Sequence, residues 1–164
     1  MQRSRLLALL CLSLVCMQTR AQTAPAPGDA ATHAAGALPI ALDPTALAAV
    51  PRERIVAQAH GQRLDCEGVA LAALLQAQHA MPTEPLRGAQ LQRRIEVVAR
   101  DGYTAVFALA ELDPTLGARR VLLVDRCGGE PLAADAGPLR LIVPQDQRPA
   151  RWVRQVRAIT VITP

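Results

Sequence analysis

The chain is almost without aromatic residues: one Trp, one Tyr and one Phe stand among 164 residues. That removes the stacking platforms on which single-stranded nucleic acids are held. It also has no lysine, so its 18 basic side chains are all arginine. They are not gathered into the basic face that a nucleic-acid partner needs, and none is expected. Cysteine is scarce, with Cys11, Cys16, Cys66 and Cys127 only. No two of them form the Cys-x-x-Cys pair of a thiol oxidoreductase. His33, His60 and His79 are isolated, without the His-x-x-x-His spacing that places two imidazoles on one helix face. The one long apolar run, Leu6 to Cys16, is too short to span a bilayer. No internal repeat is present.

What that run does resemble is the core of a secretory signal. Arg3 and Arg5 precede it, and Thr19-Arg20-Ala21 follows with small residues at the two cleavage-determining positions. Residues 1–21 are predicted to be a signal peptide cut after Ala21. A lipoprotein signal at Cys16 would want a small residue where Val15 stands. The mature protein is then expected in the periplasm or outside the cell, with no membrane span after cleavage. Cleavage removes Arg3, Arg5 and Arg20 and no acid, leaving 15 arginines against 14 acidic residues, a net charge of +1. The sequence pI of 9.4 therefore describes the precursor, not the mature chain. Residues 22–37, rich in Ala, Pro, Gly and Thr, are predicted to be a flexible leader. Residues 38–164 suit one domain.

Within that domain the apolar pattern changes period repeatedly. Leu38 to Leu42 reads as a short strand. Asp43-Pro44 is a helix start, with Asp as N-cap and Pro in the first turn, and Pro51 stops the helix. Ile55–His60 and Arg63–Cys66 read as a hairpin turned at Gly61. Gly68 to Gln78 carries Val69, Leu71, Leu74 and Leu75 at helical spacing. Ile95–Ala99 and Tyr103–Phe107 read as strands joined by Asp101-Gly102, a hairpin signal. Leu109–Leu112 reads as a helical turn, Val121–Val124 as a buried strand, and Cys127-Gly128-Gly129 as a turn. Leu139–Val143 and the end of the chain through Ile162 read as strands around a loop holding Arg148, Arg151, Trp152 and Arg154. Many short strands with two or three short helices give an α+β domain, a compact mixed sheet.

Four stretches also resemble a known family. They are "CEGVALAALL" (Cys66 to Leu75), "ARDGYTAVFALAELD" (Ala99 to Asp113), "RVLLVDRCGGEPLAADAGPLRL" (Arg120 to Leu141), and "GPLRLIVP" with "RWVRQVRAITV" (Gly137 to Val161). In this order, over residues 38–162, they resemble the oxidoreductase molybdopterin-binding domain of sulfite-oxidase-like enzymes. The resemblance implies that fold, with molybdopterin as cofactor. In the family, molybdenum is held by the pterin dithiolene and one soft, anionic cysteine thiolate, upstream of the Gly-Val-x-Leu segment. No cysteine stands between Ala37 and Asp65, and Cys66 lies two residues before Gly68. The family's arginines near the cofactor match Arg140 and Arg151 here, the latter beside Trp152. Tyr103 of the Asp-Gly-Tyr motif reads as packing on the sheet or as a pocket wall, and Trp152 as a core anchor or a pocket wall.

Three readings of Cys66 and Cys127 follow. An even pair in an exported chain suits a disulfide; Cys66 could instead be a relocated molybdenum ligand; or both could be free, redox-active thiols. The arginines have two readings. Arg140 and Arg151 could line an anion or cofactor pocket with Trp152 and Tyr103, since converging guanidinium forks suit an oxyanion. Or Arg140, Arg148, Arg151 and Arg154 pair on the surface with Asp101, Asp125, Asp135 or Asp146. The expected function is an exported molybdopterin-binding-like domain without the usual ligand cysteine. The alternatives are an active molybdopterin-dependent oxidoreductase acting on a small oxyanion or oxide with a periplasmic or membrane redox partner, and a cofactor-free binding module taking a small anionic ligand.

Overall fold

A computed structural model describes residues 36–164. The expected signal peptide, its cleavage site, the leader up to residue 35 and His33 lie outside the described residues. The first strand, β1 (Gly36–Pro39), begins two residues before the expected domain boundary. α1 (Pro44–Ala48) follows, five residues long. The Asp43 carboxylate accepts from the N–H groups of Thr45 (2.9 Å) and Ala46 (3.1 Å), and Pro44 begins the first turn.

β2 (Arg52–Ala59) and β3 (Gln62–Ala70) form a hairpin whose two turn residues are His60 (φ +52°) and Gly61 (φ +76°). Both sit in the left-handed region that a two-residue hairpin turn of this hand requires. β3 runs through Gly68, Val69 and Ala70, so the helix expected from Gly68 begins only at Leu71, as α2 (Leu71–Ala77). The reason is a close approach. A Cβ at Gly68 would lie 2.1 Å from the Leu123 carbonyl oxygen, at a bulge between Glu67 and Gly68. Glycine is there so that two backbones can meet. α2 ends in a Schellman arrangement, with Ala80 N–H on Leu75 O (2.8 Å), His79 N–H on Gln76 O (3.0 Å) and His79 in the left-handed position at φ +57°.

β4 (Arg94–Ala99) and β5 (Thr104–Ala108) form the second hairpin, turned at Asp101-Gly102, with Gly102 at φ +89°. β6 (Leu122–Cys127), the two-residue β7 (Glu130–Pro131), β8 (Arg140–Ile142) and β9 (Val156–Thr163) complete the chain. The strand-rich content with few short helices is that of an α+β domain. The strands divide between two sheets, however, rather than filling one. One runs β1-β9-β4-β5; the other runs β2-β3-β6-β7, with β8 also on β6, and every ladder described is antiparallel. β9 is the strand that commits the C-terminus to the first sheet, while β8, only 14 residues earlier, joins the second.

Both sheets and α2 feed one apolar cluster, including Ile95, Phe107 and Ile159 from the first sheet and Ile55, Val69 and Leu141 from the second. Leu122, Leu123 and Val124 are buried in succession, so β6 is covered on both faces. Among the described residues Asp113 is the one polar side chain in the core, 1% exposed. Its carboxylate accepts from Leu86 N–H (2.7 Å), Thr115 N–H (2.7 Å) and the Thr115 hydroxyl (2.6 Å). The Leu86 N–H is the main cause that holds the Asp113 carboxyl below the usual carboxylate range. Among the described residues no helix is long and apolar enough to cross a membrane.

Candidate functional site

The turn of β2–β3, the turn of β4–β5, the 132–139 connection and the 149–155 segment meet around one cleft of about 580 Å³. Its walls include His60, Leu64, Tyr103, Arg140, Trp152 and Arg154. Tyr103, Arg140 and Trp152, widely separated in sequence, therefore share one cavity. His60 and Arg154 join them; His60 arrives because it is a turn residue of the first hairpin.

Each wall is held from behind. The Asp101 carboxylate accepts from Tyr103 N–H (2.9 Å), which closes the second hairpin turn. The Tyr103 hydroxyl donates to Ala150 O (2.6 Å), tying that hairpin to the 149–155 segment, while its side chain remains half exposed. Trp152 is buried, and its indole N–H donates to Val143 O (2.8 Å). It anchors the wall more than it presents a surface. Gln155 sits at φ +48° and binds three segments: its N–H donates to Ala136 O (2.8 Å), its side-chain amide to Ala134 O (2.7 Å), and its carbonyl accepts from Arg100 N–H (3.0 Å). A non-glycine residue in the left-handed region is strained, and such strain persists only where the surroundings over-determine it. Two such residues, His60 and Gln155, stand on this one cleft.

Arg140 is the unusual group. It is half-buried on β8, takes no part in any salt bridge among the described residues, and its buried Nε has no hydrogen-bond partner. A buried donor without an acceptor carries a desolvation cost that a ligand can relieve. Burial pushes its guanidinium below the ordinary arginine value; the nearby charge of Arg154 pushes the same way, and Asp135 opposes them. Arg154 and Asp135 approach only loosely, at 3.7 Å, and both are exposed.

Arg151 does not share this cleft, which corrects its expected place in the pocket. Its fork closes on Asp146, with Nε to Oδ2 at 2.9 Å and Nη2 to Oδ1 at 2.8 Å, and Nη1 reaches Glu111 Oε2 at 3.3 Å. Arg119 bridges the same two carboxylates, at 2.9 Å to Glu111 and 2.8 Å to Asp146. The Arg151 guanidinium also lies 4.4 Å over the Phe107 ring. The Asp146 hydrogen bonds are the main cause that raises its guanidinium above the ordinary value. With each of its three nitrogens engaged by a carboxylate, Arg151 holds loops together rather than facing the cleft. The expected surface pairing thus applies to Arg151 with Asp146 and to Arg154 with Asp135, while Glu111 and Arg119 were not anticipated.

Cys66 and Cys127 face each other across β3 and β6 and are joined as a disulfide. This tests the molybdenum group directly. Its protein ligand must be a free thiolate facing a cavity. Cys66 is fully buried, both sulfurs are bonded to each other, and neither cysteine lines the Arg140 cleft. The described residues do not fit a molybdenum–dithiolene centre. Among them there is also no group of three His, Cys, Asp or Glu side chains placed to hold a metal ion. His79 lies at the end of α2, where its backbone conformation closes the helix. No family model matches this chain, and no curated protein sequence matches it.

Proposed function

We propose that this chain is an exported, cofactor-free binding module of the sulfite-oxidase-like molybdopterin-binding lineage, and that it takes a small anion at Arg140. The observation that carries the reading is the half-buried Arg140 on the wall of a cleft, with no salt-bridge partner among the described residues and with a buried Nε that lacks an acceptor. A cation in that setting gains more from an entering oxyanion than an exposed arginine would, because the field around it is less screened. Support for the absence of molybdenum chemistry comes from the disulfide, which uses both candidate thiolates. Support for the lineage is the order of the four motifs in the sequence, and support for export is the N-terminal signal pattern together with the disulfide.

The test is isothermal titration of the oxidised protein with sulfate, alongside a free-thiol titration and a molybdenum count on the same periplasmic preparation. The reading expects saturable binding, lost in Arg140→Gln and kept in Arg148→Gln, whose arginine is exposed. It also expects no free thiol and no molybdenum. Stoichiometric molybdenum that disappears in Cys66→Ser would overturn it, as would sulfate binding unchanged by Arg140→Gln.

A further inference from the structure

Four charged side chains line the cleft: Arg140, Arg154, Asp101 and Asp135. The two carboxylates are not equivalent. Asp101 is committed to the turn, accepting from Tyr103 N–H. Asp135 makes no hydrogen bond among the described residues; its one charged neighbour within salt-bridge range is Arg154, at 3.7 Å. Yet its backbone is fixed. Ala136 N–H and Gly137 N–H both donate to Ala133 O, at 2.9 and 2.8 Å, and Gln155 grips the carbonyls of Ala134 and Ala136 on either side. The chain thus holds an uncommitted carboxylate at the mouth of the cleft, beside the arginine most accessible to an entering anion.

We infer that Asp135 is a built-in competitor for the anion site, occupying at Arg154 the position an incoming oxyanion takes. This rests on the anion-binding reading of the Arg140 cleft. The loose contact makes the competitor displaceable: an exposed pair at this distance contributes little, so a ligand can exchange for it. The local charge balance of the cleft, two cations against two carboxylates, is neutral with Asp135 present and positive without it. Asp135 therefore sets how high the anion concentration must be before the cleft fills.

The experiment titrates sulfate into the wild type, Asp135→Asn, Arg154→Gln and the double variant, with Arg140→Gln as reference. Asp135→Asn is expected to bind sulfate about two- to fivefold more tightly, the range that release of one exposed ion pair allows. In the Arg154→Gln background the same change is expected to gain less than about twofold, because the competitor's partner is gone. Unchanged or weaker binding in Asp135→Asn, while Arg140→Gln abolishes binding, overturns the competitor and leaves the anion site standing. An equal gain in both backgrounds also overturns it, since the effect is then one of net charge alone. Wild-type binding no stronger than that of Arg140→Gln overturns the anion site itself. Asp135 is exposed on a loop, and the circular dichroism melt of Asp135→Asn is expected to superimpose on the wild type.

Discussion

Arg140 and Arg151 are 11 residues apart, and the motif that suggested a pocket contains both. Their surroundings are opposite. Arg151 lies between Glu111 and Asp146, over Phe107, with Arg119 completing a closed set of two cations and two carboxylates. Arg140 is half-buried, with no acid bound to it among the described residues and its Nε without a partner. The difference separates two uses of the same side chain. A guanidinium held by carboxylates on every nitrogen raises stability; one without a carboxylate partner carries a desolvation cost that an entering anion can offset. Asp113 is the acidic counterpart of Arg151, a buried charge made stable by backbone and hydroxyl donors.

Asp113→Ala should give the largest loss of thermal stability among single changes at these three charges, because it leaves the buried N–H of Leu86 without an acceptor and frees the Thr115 turn. A differential scanning calorimetry trace checks this. The same carboxylate gives a pH dependence. Its folded pKa is depressed, so its contribution is complete above the ordinary carboxylate value near 3.9 and is lost as pH falls through the lower folded value. The gap in urea midpoint between wild type and Asp113→Asn should therefore be full at pH 6 and narrow progressively below about pH 4. A gap that widens in acid would contradict the assignment.

Arg151→Met should come next. It strands Asp146, whose side chain is only 11% exposed, on Arg119 alone, and it removes the contact with Phe107. With Arg151 itself partly exposed, the expected loss is about 1–2 kcal/mol by urea denaturation, with sulfate affinity unchanged. The smallest stability effect belongs to Arg140→Met. Replacing an unpaired, half-buried cation by an apolar chain should leave the urea midpoint unchanged or raise stability by up to about 1 kcal/mol, while sulfate binding disappears. A loss of 2 kcal/mol or more at Arg140 would show that it, too, is a structural arginine.

Much of this fold was legible because local chemistry decides it. Asp43-Pro44 starts a helix, Asp101-Gly102 turns a hairpin, and an even cysteine pair on neighbouring strands closes a disulfide, each through interactions within a few residues or one pairing step. Gly68 misled because its helical neighbours Leu71, Leu74 and Leu75 dominate the periodicity, whereas its own role is set by Leu123, 55 positions away. The division into two sheets was invisible for a similar reason, since β8 and β9 read alike as apolar strands and only their partners differ. The cleft was legible in part. The motif drew attention to Tyr103, Arg140 and Trp152, but Arg151 is drawn out of the cleft by Asp146, five residues away, together with Glu111, which is 40 residues away and carried no local signal. His60 could have been suspected from the other end: a His-Gly pair in a tight hairpin turn puts an imidazole at a strand tip, where the tips of other hairpins converge.

The most direct measurement is a paired one: urea unfolding and sulfate titration on Arg140→Met and Arg151→Met, purified under identical oxidising conditions. The contrast between the two arginines predicts a double dissociation. Arg151→Met unfolds at lower urea and binds sulfate as the wild type does; Arg140→Met unfolds no earlier than the wild type and does not bind. If Arg140→Met lowers the midpoint as much as Arg151→Met, or if it still binds sulfate with wild-type affinity, the distinction between a structural and a ligand-binding arginine fails.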